Sequence, residues 1–449
     1  MLESAKQLIR KYNVPGPRYT SYPTVPYWKN DPLTPEEWVE TFHKNVSTTP
    51  DVSVYIHLPY CESLCTFCGC HKRITKNHAV ESSYIDAVLK EWSLYKNLLP
   101  FTPNISEIHF GGGTPTFFKA SELKRLSEGI LADQNTDFSP QLGFEAHPNN
   151  TTDEHLDTLY RAGFRRLSLG IQEYSPNVQK AINRIQSFKQ VKSVHEKAKE
   201  IGYTSISHDL VYGLPKQTLA DIIDTIEKTI LLMPDRIALY SYAHVPWIKG
   251  VGQRGFDEND LPKDEEKRAL YETARERLFD AGYKEIGMDH FALEHDELYH
   301  AFLSKTLHRN FMGYTTKTSK TMIGLGMSAI SDSWYGFAQN DKSVEGYLQK
   351  VNDGILPIFR GHLLSEKDLI IRQHILDIMC HFETLCSDEM LESLKERLNE
   401  LIEDKIVKID GNKVILSDDG LPFIRNCCMA FDDYLLHDKG TVPMFSKTI

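Results

Sequence analysis

The chain has 449 residues, 41% of them apolar and 25% charged; at about 150 residues per domain this leaves room for roughly three packed units. Fifty-one basic against 62 acidic side chains give a net charge of −11, which argues against a general nucleic-acid binder. No apolar run reaches the roughly 18 residues of a membrane span, and the opening MLESAKQLIRKYNVPG has no apolar signal core, so the sequence reads as a cytoplasmic globular protein.

In chain order, PGPRYT and YPTVP before residue 50 hold too much proline for regular structure and predict an extended arm. Strand patterns follow at 53–58, 106–110, 142–146, 166–172, 205–211 and 236–242, with helical patterns between them at 79–97, 119–133, 152–162, 187–201 and 218–231. This alternation predicts parallel βαβ units, as an α/β barrel or an open sheet. A further helical pattern after Leu261 leads into a polar, histidine-rich stretch at 288–316. Residues 365–405 read as amphipathic helix, then come strand-like KIVKID and NKVILS and a last helix near 420–436. Helices followed by such a β-wing suggest a winged-helix-like end.

Eight cysteines are present, and four fall in CESLCTFCGC: Cys61, Cys65, Cys68 and Cys70. Clustering of this kind in a reduced compartment points to metal rather than disulfides. The C-x3-C-x2-C spacing puts three soft thiolates on one short loop, enough for three irons of a [4Fe–4S] cube with the fourth iron open. Counting donors alone leaves structural zinc open, since Cys70 or His71 could complete four ligands. Cys380, Cys386, Cys427 and Cys428 match no ligand spacing and read as buried small side chains.

GGGTPT at 111–116 follows the second predicted strand, and successive glycines let backbone amides approach a ligand closely. Polar residues recur at the carboxyl ends of the other strands: Glu145, Gln172, Asp209 and His244. In α/β barrels that rim carries the active site.

CESLCTFCGC with GGGTP resembles the radical S-adenosylmethionine superfamily. PGPRYTSYPT, YIHLPYC, YGLPKQT, GMDHFA, HRNF-x-GYTT and RNCCMAFD extend the likeness over nearly the whole chain, to the oxygen-independent coproporphyrinogen III oxidase family. The resemblance implies an α/β fold: a partial (β/α)6 radical SAM barrel with an N-terminal arm and a mainly helical, winged-helix-like C-terminal domain. The division expected is 1–50 arm, 51–300 barrel, 301–360 substrate-covering segment and 361–449 C-terminal domain.

By the same resemblance, Cys61, Cys65 and Cys68 would ligate a [4Fe–4S] cluster whose open iron takes S-adenosylmethionine. Cys70 would be required without being a ligand, with His57 and Tyr55 beside the cluster. Phe67, Gly112, Gly113, Thr114, Glu145, Gln172, Arg184, Asp209, Ala243 and Ile330 would line two S-adenosylmethionine sites. The implied reaction removes a hydrogen atom from a propionate β-carbon of coproporphyrinogen III and, with loss of CO2 and one electron, leaves a vinyl group. Two rounds give protoporphyrinogen IX. A monomer served by a one-electron donor such as flavodoxin or ferredoxin, and by an electron acceptor the sequence does not identify, is the expected setting.

Two positions depart from the family pattern: Met312 stands where Gln is expected, and His147 where an acid is expected. His147 reads as a rim histidine with a proton donor as its alternative. Four substrate carboxylates need cations, for which Arg18, Lys72, Arg73, Arg165 and Arg309 are candidates. A heme-binding chaperone sharing the barrel, or a radical SAM relative acting on another tetrapyrrole, are the competing readings; Cys70 and the long arm argue against the chaperone.

Overall fold

Alternation along the strands decides the architecture. In the first strand Val54 and Ile56 are fully buried, while Tyr55 and His57 take the other face. Val54, Ile56, Ile108, Phe110, Leu142 and Phe144 join the main apolar core beneath helices such as Glu81–Leu98 and Ala120–Leu131. The alternate positions carry polar groups that face one another across a lumen, because a period of two sorts side chains to opposite faces.

The computed structural model describes residues 3–28, 33–46, 51–99, 103–134, 139–247, 253, 255–437 and 444–448. Six strands form the centre: β1 (Asp51–Leu58), β2 (Asn104–Gly112), β3 (Gln141–Ala146), β4 (Arg166–Gln172), β5 (Ser205–Tyr212) and β6 (Arg236–Ser241). Each is parallel to the next. β7 (Lys284–Ile286) and β8 (His290–Ala292) add antiparallel strands beyond β6. On the other flank lie β9 (Met322–Leu325), β10 (Ile330–Asp332), β11 (Gly336–Asn340) and β12 (Ile358–Leu363). The sheet runs β12-β11-β10-β9-β1-β2-β3-β4-β5-β6-β8-β7, and only β9 among the added strands is parallel to its central neighbour.

The connecting helices start where the sequence caps them. Thr152, Ser187 and Thr218 each accept a hydrogen bond from the backbone three residues on, and His155, Gln190 and Asp221 reciprocate. The sheet stays open between β7 and β12, and the hairpin His308–Asn310/Gly313–Thr315 bridges its flanks. Phe311 packs on Phe337 of β11, and Tyr314 meets His290 of β8. At the amino ends of the strands Arg166 pairs with Glu107 at 2.9 Å and Arg236 with Asp296 at 2.7 Å, closing the floor of the lumen.

The expectation of an extended arm needs correction. Helices Glu3–Tyr12 and Pro35–Val46 flank the proline-rich stretch. The first ends before Pro15, and Pro35 occupies an initial helical position, where its missing N–H costs nothing. Ile9, Tyr12, Tyr19 and Tyr22 pack into the core of the C-terminal region, whose helices Glu366–His381, Asp388–Glu403 and Ile424–Phe431 surround a three-stranded antiparallel wing. This mainly helical, winged region is the one expected. Cys380, Cys386, Cys427 and Cys428 are buried.

Candidate active site

The cysteine loop leaves the carboxyl end of β1 and is pinned from several sides. The Thr66 amide donates to the Ile182 carbonyl at 2.9 Å, and Asn183 Nδ2 donates to the Leu64 carbonyl at 2.7 Å. His57 holds the loop's far end: its Nε2 lies 2.8 Å from the His71 carbonyl, so Nε2 carries the proton and donates. Burial holds this imidazole below its ordinary range. Nδ1 is then free to accept from the Tyr55 hydroxyl at 3.1 Å. Tyr55 and His57 thus position the loop as a neutral pair.

Cys61, Cys65 and Cys68 are half-buried free thiols, each with its own partner. Cys61 Sγ lies 3.3 Å from Thr114 Oγ1, and Arg184 Nη1 lies 3.7 Å from Cys65 Sγ. A hydrogen bond from Cys70, with Lys72 nearby, draws the Cys68 thiol down to about 6. The same bond pushes exposed Cys70 upward, so Cys70 keeps the shared proton. Lys72 itself is anchored on the Cys70 carbonyl at 3.1 Å.

This donor set fits an iron–sulfur cube, in which each thiolate meets a different iron and the ligands stand apart. A structural zinc needs donors converging on a single ion, and no three such side chains do so among the described residues.

Across the loop, the glycine run forms a cradle no larger residue could line. A Cβ on Gly112, whose φ is +112°, would stand 2.7 Å from His57 Nδ1, and one on Gly113 would stand 2.6 Å from the Pro59 carbonyl oxygen. The Gly112 amide donates to Glu145 at 3.2 Å, and His109 Nε2 reaches the same carboxylate at 3.4 Å. Burial pushes the Glu145 carboxyl up, but these contacts outweigh it and hold the group below its ordinary value.

Asp209, on the facing strand, behaves oppositely. Burial, reinforced by the negative charge of Glu145, raises it to about 7, although it accepts from Ser168 Oγ at 2.9 Å. Glu145, Ser168 and Asp209 line an internal cavity of about 110 Å3 with His109, Tyr240 and Met312.

The remaining expected residues do not line this cavity, and each is placed by its own contacts. Arg184 donates to the Gly170 carbonyl; a side chain on Gly170 would collide with both Arg184 and Gln172. Gln172 ends β4 with φ +69° beside a register shift. Phe67 and Ala243 are tied by Gln253, whose Nε2 donates to both carbonyls, at 3.4 and 2.7 Å. Ile330 packs its carbonyl against Gly324, the register partner of Tyr55.

His147 is a neutral imidazole: burial first, then Arg184, hold it at about 3, and its Nδ1 accepts from the Asn149 amide at 3.1 Å. That leaves it no proton to donate from an imidazolium. Among the cation candidates, Arg165 is corrected. It precedes β4, away from the carboxyl rim, and is spent on the Tyr160 ring and on the Tyr160 and Phe164 carbonyls. Arg73 pairs with Glu345, and Arg18 with Asp289.

His109, Ser168 and Gln253 were missed. His109 and Ser168 are lumen-facing by strand alternation, the signal that could have found them; Gln253 lies in a loop without pattern.

A parallel α/β sheet with thiols after β1, a glycine cradle after β2 and carboxylates on β3 and β5 defines the class, and residues 55–229 match the Radical SAM superfamily model. Within that class, the chain is 35% identical over 440 residues to the oxygen-independent coproporphyrinogen III oxidase of Pseudomonas aeruginosa, covering 95% of both chains. It is 37% identical to that of Helicobacter pylori strain J99 over 98% of both chains. The solved coproporphyrinogen III oxidase of Escherichia coli, described as a radical SAM enzyme, superposes with a TM-score of 0.87 at 34% identity over 93% of this chain and 98% of the other. The chain belongs to the oxygen-independent coproporphyrinogen III oxidase family.

Proposed function

We propose that this chain is the radical SAM oxidoreductase that converts two propionates of coproporphyrinogen III to vinyl groups without oxygen, giving protoporphyrinogen IX. The observation that carries the reading is the juxtaposition of the three-thiol loop with the Gly112–Glu145 cradle at one end of a polar lumen. When bound, a reduced [4Fe–4S] cluster and S-adenosylmethionine supply a 5′-deoxyadenosyl radical able to take hydrogen from an unactivated carbon, which no side-chain base can do.

The chain's own residues bind and orient. Cys61, Cys65 and Cys68 are the cluster ligands; the Cys70 hydrogen bond and Lys72 favour the Cys68 thiolate, whereas burial pushes the Cys61 thiol up to about 11. The backbone at Gly112 and Gly113 admits the amino-acid end of S-adenosylmethionine, and Glu145 and Asp209 offer acceptors for its amine and hydroxyl donors. Phe67, Ala243, Gln172 and Ile330 complete two S-adenosylmethionine positions. Met312 puts a thioether on the lumen wall, an apolar contact in place of an amide. Cys70 holds a proton beside Cys68.

In the same reading the protein is a cytoplasmic monomer supplied with electrons by a flavodoxin or ferredoxin, and residues 301–360 cover the substrate. No described helix is long and apolar enough to cross a membrane.

Anaerobic reconstitution with iron and sulfide, then reductant, S-adenosylmethionine, coproporphyrinogen III and an electron acceptor, tests the reading by chromatography. Deoxyadenosine together with protoporphyrin is expected, and both should vanish in Cys65→Ala. Deoxyadenosine without a vinyl product moves the substrate to another tetrapyrrole, and neither product from a loaded cluster overturns the reading.

A further inference from the structure

The hairpin that bridges the open side of the sheet carries a buried cation without an anion. Arg309 is 8% exposed. Its Nη2 donates at 3.5 Å to the Arg18 carbonyl, its guanidinium lies 4.5 Å from the Tyr314 ring centre, and its buried Nε has no acceptor. No carboxylate pairs with it among the described residues. The other buried arginines are compensated: Arg236 by Asp296, Arg268 by Glu272, Arg372 by Asp332, and Arg425 by four backbone carbonyls. Burying a charge without a partner costs far more than one long hydrogen bond and a ring contact return, so the fold holds this guanidinium for something it does not itself contain.

Its surroundings indicate what. Tyr314 packs edge-on against His290 at 5.2 Å, and His290 against Tyr240 at 5.7 Å. All three rings line the cavity shared with Glu145 and Asp209, so Arg309 stands one ring behind the reaction lumen. A planar guanidinium with unspent donors is the natural receptor for a carboxylate.

We propose that Arg309 is a substrate-positioning residue that pairs with one propionate carboxylate of the tetrapyrrole. The proposal rests on the function stated above and adds the anchor. The carboxylate held is one the reaction leaves intact. A reacting carboxylate departs as neutral CO2, and an ion pair on it would stabilise the substrate more than the transition state.

The test uses coproporphyrin III, the oxidised tetracarboxylate, and its tetramethyl ester, titrated by fluorescence against wild type, Arg309→Gln, Arg309→Lys and Arg309→Met, together with steady-state kinetics of the reconstituted enzymes. Losing one buried charge-assisted pair should weaken tetracarboxylate binding by roughly 10- to 100-fold in Arg309→Gln. The ester should bind wild type and variant alike, Arg309→Lys should recover part of the loss, and KM should move more than kcat. Because the cation has no internal partner, Arg309→Met should melt no lower than wild type.

Unchanged tetracarboxylate binding in Arg309→Gln, an equal loss for acid and ester, or a steep fall in the melting temperature of Arg309→Met overturns the assignment. Wild type that binds no tetracarboxylate overturns the functional reading and the anchor with it. The two failures are thereby separable.

Discussion

Two carboxylates facing one lumen are held in different protonation regimes, Glu145 below the usual range and Asp209 at about 7. Burial acts on both. His109 and the Gly112 amide compensate Glu145, whereas Asp209 has the Ser168 hydroxyl and the repulsion of Glu145, with His109 and Arg184 too weak to restore it. Asp209 therefore ionises as pH rises through about 7, and only the ionised form is a pure acceptor for hydroxyl donors. S-adenosylmethionine affinity should rise between pH 6 and 8 by up to about tenfold, and Asp209→Asn should flatten the profile; equilibrium binding to the reconstituted protein checks both. The same shift has a folding consequence. The folded chain holds this proton from about pH 4 to 7 while the unfolded chain releases it, so stability falls as pH rises across that window. A flat wild-type binding profile would remove Asp209 from the ligand site.

At the scale of elements, residues 13–24 of the arm are held by the C-terminal region, and Arg18 carries them to the end of β6. Arg425 donates to the Pro17 carbonyl at 2.8 Å, to those of Lys447 and Thr448 at 3.0 and 3.1 Å, and to that of Gly16. Tyr19 donates to Asp432 at 3.0 Å, while Arg18 bonds Asp289 and the Ser241 carbonyl at the end of β6. Arg425→Leu would leave four carbonyls without donors, at a cost of about 3 kcal/mol or more. The expected outcome is faster proteolysis and hydrogen exchange of residues 13–24, with β1–β6 protected as in wild type. Exchange that rises equally in the barrel would mean that Arg425 supports the whole fold and not the arm alone.

This clamp could not be read from the chain, because it joins residues about 400 apart through backbone carbonyls, which every sequence has. The six central strands and their helices were legible, since β-branched runs, caps and glycine stops act locally. β9 to β11 were not: MIGL and GFAQN are buried throughout, with no alternation to mark a strand.

For the whole molecule, the legible part of the site was what the backbone order determines: cysteine spacing, the glycine run and polar residues at strand ends. Protonation and compensation were hidden, because they depend on which side chains three-dimensional packing brings opposite one another. The buried histidines make the point and set the last expectation. His195 Nδ1 lies 3.0 Å from His208 Nε2 between the helix Phe188–Ile201 and β5, and the outer nitrogen of His208 has no partner. Burial holds His195, His290 and His308 at about 4 and pushes His208 well below its ordinary value.

Each is neutral in the fold but free to bind a proton near pH 6.5 when unfolded. The unfolded chain thus takes up more protons between about pH 6.5 and 4. Stability contributed by these groups is complete above that window and lost as pH falls through it, by about 1.4 kcal/mol per pH unit for each fully engaged histidine. Denaturant titrations from pH 8 to 5 should show the unfolding midpoint steady down to about 7 and then falling, the loss from four histidines exceeding the opposing gain from the single Asp209. In His195→Gln/His208→Gln the slope between pH 6.5 and 5 should shrink by up to two protons' worth, whatever the change in absolute stability. An unchanged slope would mean that the pair is already charged in the fold.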